Sequence, residues 1–128
     1  MHGDWYCPMA LEVQEPWLSC IVNGTKTVEG RVGPAGKVYD VSCCVDPSGE
    51  RRVPIRVTQI VHYETLEEYL IGEGWRACAP HAQSLAEAEA CYRAVRHLEG
   101  GNFVQTFSDA RIAARGGMNA LRLQLLVE

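Results

Sequence analysis

At 128 residues, with 47% hydrophobic and 22% charged side chains, the chain has the composition of one ordered globular domain, which excludes disordered, collagen-like and coiled-coil classes. Twelve Lys and Arg against sixteen Asp and Glu give a formal charge of -4, so no global field draws the molecule to nucleic acid or an anionic membrane. A polyanion would have to be met by a local patch.

Residues 1–9, with Gly3, Asp4 and Pro8, read as a loose leader before a domain spanning 10–128. Leu11 and Val13 alternate with Glu12 and Gln14 as a half-buried strand. Pro16 then suits the first position of a short helix whose Trp17, Leu18, Ile21 and Val22 share one face, and Asn23-Gly24 ends it. From Thr27 to Val32 the alternation returns, with Val28 and Val32 on one side and Thr27, Glu29 and Arg31 on the other. Gly33-Pro34-Ala35-Gly36 is a turn, Val38 to Val45 an apolar strand, and Asp46-Pro47-Ser48-Gly49 a type I hairpin connection. The returning strand, Arg52 to Val61, puts Val53, Ile55, Val57 and Val61 on one face and Arg56, Thr58 and His62 on the other, with Pro54 marking a sheet edge.

Thr65 followed by Glu68 is a capping box for a helix that stops in Gly72-Glu73-Gly74. Ser84 with Glu87 opens a longer one to about Leu98, carrying Leu85, Ala88, Tyr92, Val95 and Leu98 on one stripe and ended by Gly100-Gly101. Residues 102–115 lack periodicity and read as a long loop with strand fragments around Phe103 to Phe107. Ala120 to Val127 closes the chain as an alternating strand. About five strands, joined in antiparallel fashion, and three helices give an α+β fold: a small curled sheet or barrel flanked by short helices.

No apolar run approaches the roughly 18 to 20 residues that cross a bilayer, and Met1 to Met9 lacks a signal-peptide pattern, so an intracellular protein with no membrane role is expected. Cys7, Cys20, Cys43, Cys44, Cys78 and Cys91 show neither a disulfide framework nor metal-ligand pairs, and His2, His62, His81 and His97 add none. Reduced thiols, no metal and no cofactor are the expectation.

The densest polar run is Gly24-Thr25-Lys26-Thr27-Val28-Glu29-Gly30-Arg31. Residues two apart on a strand lie about 7 Å apart on one face, so Thr27, Glu29 and Arg31 can bond one ligand or brace one another. Lys26, at the end of a helix, has a bland electrostatic reason to be there as well. The run lacks the second glycine of a phosphate-binding P-loop. Arg51, Arg52 and Arg56 form the clearest basic concentration, which a solvated hairpin also explains. Trp17 and Trp75 offer stacking surfaces if they border the polar stripe, His62 ends a strand where it could line a site, and Tyr92 belongs to a core stripe.

Gln14-Glu15-Pro16-Trp17, Ile21 and then Gly24 to Arg31 resemble the signature of ASCH domains, Gly-x-Lys-Thr-x-Glu-x-Arg, and the likeness extends over roughly residues 10–127. Tyr63 to Tyr69, Gly74, Pro80, Tyr92-Arg93 and Phe107-Ser108 add to it, while Tyr39-Asp40 and Arg115-Gly116-Gly117 depart from it. The resemblance implies a compact β-barrel similar to the RNA-binding PUA domains, with a cleft at Lys26, Thr27, Glu29 and Arg31. It implies an RNA-binding or modified-nucleoside-binding module, to which the residue reading adds Trp17 and His62 as further expected ligand contacts. It also implies an alternative, a metal-independent hydrolase acting on an acylated nucleoside such as acetylcytidine, or on RNA. There Lys26, Glu29 and Glu73 would be catalytic, although Glu29 stands where that subgroup carries threonine. A protein-interaction adaptor is the third class implied.

Overall fold

The computed structural model describes residues 10–126; the leader at 1–9 and the end of the last predicted strand, Val127, lie outside them. Five strands, β1 (Leu11–Glu12), β2 (Val28–Val32), β3 (Cys43–Val45), β4 (Arg52–Tyr63) and a C-terminal strand (Met118–Leu125), form one curled sheet in the order β1-β3-β4-C-terminal-β2. All pairings are antiparallel except β1 with β3, which is parallel and makes the half-barrel a mixed sheet. The expected α+β architecture of a curled sheet with short helices is therefore present.

Around the sheet lie α1 (Trp17–Val22), α2 (Leu66–Glu73), α3 (Trp75–Cys78), α4 (Leu85–Arg93) and α5 (Asp109–Ala114). The capping boxes act as the sequence predicts, because the Thr65 and Ser84 hydroxyls accept from the Glu68 and Glu87 amides. Gly74, at φ +88°, ends α2 in a conformation that L side chains rarely adopt. Leu18, Ile21, Ile55, Leu66, Leu70, Met118 and Leu121 are fully or almost fully buried between these layers. Among the described residues no helix is long and apolar enough to cross a membrane.

Several expectations are corrected. The strand predicted at Val38 to Val45 shrinks to Cys43–Val45, because Tyr39 is drawn from the preceding loop to the buried Asn119. The second long helix ends at Arg93, not Leu98: Arg96–Glu99 is strand β5, paired with β6 (Asn102–Gln105) around Gly100-Gly101. Val95 and Leu98 fit a helical spacing, but two glycines at φ +61° and +85° are the turn of a two-residue hairpin. The stretch at 102–115, read as a loop with strand fragments around Phe103 to Phe107, does hold a strand there, β6, but also the unforeseen helix α5, capped by the Ser108 hydroxyl. The C-terminal strand, from here on β7, starts at Met118, two residues earlier than predicted.

The faces of β4 change for a related reason. A register shift between Val57 and Gln59 leaves Thr58 out of the pairing with β7, and one extra residue reverses the side to which every later side chain points. His62 is thereby opposite Asn119, and Val61 is opposite Ala120 on the other face. Pro54 is on a central strand, yet at the junction where pairing with β3 ends and pairing with β7 begins.

Candidate functional site

Lys26 enters the fold as a buried ammonium, only 2% exposed, between the end of α1 and the start of β2. Its Nζ donates to the carbonyls of Val28 at 2.5 Å and Cys78 at 2.6 Å, with Tyr92 Oη at 3.4 Å and Glu29 Oε1 at 3.5 Å sharing the remaining hydrogen. The Trp17 ring lies 5.0 Å away, within cation–π range. Burial pulls the ammonium below its ordinary value and the Glu29 carboxylate pushes back. With three donors and four acceptors, Lys26 has no hydrogen to spare for a ligand. Its chemistry is to pin β2, α3, α4 and the Glu29 carboxylate together.

Glu29 turns its other oxygen, Oε2, to Arg31, at 3.1 Å from Nε and 2.8 Å from Nη2. Arg31 Nη2 also donates to the Glu12 carbonyl at 2.7 Å. That bond spans the open seam of the half-barrel, since β1 and β2 are the two edge strands of the sheet. The two Nη1 hydrogens have no partner among the described residues, so Arg31 keeps a free donor pair beside a bound carboxylate.

A cavity of about 360 Å³ opens at this seam. Glu29, Arg31 and Trp17 line it from the signature side, and Tyr92 and Phe107 add aromatic wall. The lining is completed by Lys37 and Tyr39 from the loop before β3, His97 and Thr106 at the β5–β6 hairpin, and Arg111 and Arg115 at α5. Asn119 holds Tyr39 in place: its amide donates to Tyr39 Oη at 3.2 Å and to the Pro34 carbonyl at 3.0 Å, while His62 Nδ1 lies 2.9 Å from its carbonyl oxygen. A volume of this order fits a base or nucleoside, with apolar walls and a few convergent polar groups.

The family model for the ASCH domain matches residues 11–123, nearly the whole chain. The chain belongs to the ASCH domain family. Its fold is similar to the crystal structure of the hypothetical protein PH0355, with a TM-score of 0.67 at 21% identity over 91% of this chain and 97% of that one. It is similar also to the solution NMR structure of protein PF0455 from Pyrococcus furiosus, with a TM-score of 0.60 at 20% identity over 93% and 97% of the two chains. No curated protein is matched.

In this ASCH domain the residues named from sequence do not all meet. Glu29, Arg31 and Trp17 line the cavity and Lys26 supports it from behind. Thr27 is exposed, one residue before β2, and is not among the lining residues. His62 acts at one remove, through Asn119 and Tyr39. Glu73, at the end of α2, is bound by Arg122 through both oxygens at 2.9 Å and by Tyr63 Oη at 2.6 Å. It is not among the lining residues.

The basic concentration disperses: Arg51 pairs with Glu15 at 2.9 Å and Arg56 with Gln124 at 3.1 Å. Trp75 is stacked by Arg76, 4.5 Å from its ring centroid. Cys44 and Cys78 are buried, and burial pushes their thiols up to about 12 and about 11. The sequence reading missed Lys37, His97, Thr106, Arg111 and Arg115, which reach the cleft from the junction of a predicted turn and strand, from a segment read as helix and from one read as a loop. The one usable signal was Ser108-Asp109 as a helix start, which places Arg111 and Arg115 one turn apart.

Proposed function

We propose that this ASCH domain binds a nucleobase or modified nucleoside, presented free or in single-stranded RNA, in the cleft at the barrel seam. The observation that supports this reading is the Glu29–Arg31 pair set beside aromatic walls. A carboxylate accepts from an exocyclic amine, the free Nη1 donors of Arg31 reach base acceptors, and Trp17, Tyr39 or Phe107 contacts the ring face. Lys26 serves as the support that holds Glu29 in position.

The second reading, hydrolysis of an acylated nucleoside, uses the same carboxylate as a base on water. Both readings are tested by titrating wild type, Arg31→Ala and Glu29→Gln with nucleosides, acetylcytidine and a short RNA, followed by tryptophan fluorescence and by product mass. The expected result is saturable binding without product, weakened about tenfold or more in Arg31→Ala. Absence of binding to every probe overturns the proposal. Deacetylation or strand cleavage by wild type and not by Glu29→Gln replaces it with the hydrolase.

A further inference from the structure

Two arginines and a histidine of the cleft lining converge on a single acid. Glu99, the last residue of β5, presents one oxygen, Oε2, to Arg115 Nη2 at 3.0 Å, Arg111 Nη2 at 3.4 Å and His97 Nε2 at 3.5 Å. His97, Arg111 and Arg115 line the cleft, and Glu99 does not. Its side chain is 43% exposed, so solvent reaches the carboxylate that holds them.

The arrangement fits a larger anion better than it fits Glu99. Three donors crowd one carboxylate oxygen, whereas a phosphate offers an oxygen to each. Arg111 is further poised: its Nη1 donates to the Thr106 carbonyl at 3.0 Å, and its buried Nε has no hydrogen-bond partner. An unsatisfied buried donor on a cleft-lining guanidinium is costly unless something is to meet it. His97 Nδ1 lies 2.6 Å from Thr106 Oγ1, which fixes its ring. Arg93, the neighbouring cation, is already taken by Asp109, Glu89 and the Phe107 carbonyl. The anion-binding capacity left around the β5–β6 hairpin therefore belongs to Arg111, Arg115 and His97.

We propose that these three side chains form a phosphate subsite at the mouth of the cleft, and that Glu99 occupies it in the free protein as a displaceable internal anion. Resting on the nucleoside reading above, this makes the preferred ligand a nucleotide or an RNA phosphodiester. Rotation of the Glu99 side chain is enough to exchange it for the ligand phosphate. The carboxylate screens Arg111 from Arg115 until then, and it lowers affinity for any phosphate that must compete with it.

The test titrates the full chain and its Glu99→Gln and Arg115→Ala variants with ribose, ribose 5-phosphate, the four nucleosides and their 5′-monophosphates, followed by NMR shifts. Monophosphates are expected to bind about tenfold more tightly than nucleosides. Glu99→Gln is expected to strengthen monophosphate binding roughly three- to tenfold and leave nucleoside binding unchanged, because only the competing charge is gone. Arg115→Ala is expected to remove most of the phosphate advantage. A Glu99 that merely staples the hairpin would instead lower the melting temperature in Glu99→Gln with no gain in affinity, and that result overturns the proposal. Equal affinity for nucleosides and monophosphates in all three proteins also overturns it, and leaves the base pocket standing. Ribose 5-phosphate binding that responds to Glu99→Gln, without any nucleoside binding, keeps the subsite and removes the base pocket. No binding by any probe removes both.

Discussion

Two carboxylates in this domain, Glu29 on edge strand β2 and Glu73 at the end of α2, each hold an arginine, yet they differ in what remains open around them. Glu73 is saturated: Arg122 takes both oxygens and Tyr63 Oη adds a third donor, with the side chain 2% exposed. Glu29 is held from behind by Lys26 and from one side by Arg31, and still faces a cavity. The two clusters use similar chemistry on opposite faces of β7, since Glu29 is opposite Leu121 while Arg122 pairs with Val28. An acid whose acceptors are all used ties elements together; an acid supported at its back and open in front can meet a ligand. The presence of an Arg–Glu pair does not by itself separate these roles.

The strongest way to break this comparison is to remove the support behind Glu29. Lys26→Met strips the Val28 and Cys78 carbonyls of their donor and leaves Glu29 with Arg31 alone. A loss of about 3–5 kcal/mol in urea denaturation is expected, a large part of the stability of a domain this size. A variant within about 1 kcal/mol of wild type would mean that Lys26 is dispensable for folding and so free for other work.

Gly30→Ala attacks the same support from the other face. A Cβ at Gly30 would lie 2.7 Å from Tyr69 Oη, and Tyr69 holds Tyr92 through a 2.7 Å hydroxyl contact beside Lys26. Crowding at a fully buried tyrosine is expected to cost about 1–3 kcal/mol, measured by thermal melting.

On the Glu73 side, Glu73→Gln is expected to cost about 1–2 kcal/mol near neutral pH and to leave nucleoside binding unchanged. Although burial pushes the other way, the Arg122 and Tyr63 hydrogen bonds together hold the Glu73 carboxyl below its ordinary value of 4.5. An acid with a depressed folded pKa contributes stability that is fully present above the unfolded value and lost as pH falls through the folded one. The gap between wild type and Glu73→Gln should therefore shrink below about pH 4.5 in denaturation curves. A gap that stays constant to pH 3 would contradict the assignment.

These effects bear on what the sequence made legible. The run Lys26 to Arg31 could be read because its residues are adjacent and its chemistry is dense, and α2 and α4 could be read because capping residues are local signals. The rest of the cleft lining could not. Arg111, Arg115 and His97 come together only because Gly100-Gly101 folds β5 back on β6, and the helical spacing of Val95 and Leu98 concealed that turn. Thr58 shows the other limit: a bulge follows from tertiary pairing with β7, and it alone decides which face His62 takes. Glu73 could be placed on a helix end from sequence, but its partners Tyr63 and Arg122 are set by strand register.

The smallest expected effect separates convergence from concentration of charge. Arg51, Arg52 and Arg56 are the densest basic cluster in the sequence, whereas Arg31, Arg111 and Arg115 are scattered along it and line the cleft. Arg51 spends its charge on Glu15 and donates to the Ser19 hydroxyl at 3.3 Å, in a pair about half exposed on both sides. Such a pair contributes about 0.2–1 kcal/mol and is screened by salt. Arg51→Ala should thus shift the melting temperature by no more than a few degrees, less at high salt, and leave nucleotide and RNA affinity at the wild-type value. If Arg51→Ala weakens RNA binding as strongly as Arg31→Ala does, then the RNA path runs over the β3–β4 hairpin and density of charge, not its convergence on the seam, selects the ligand.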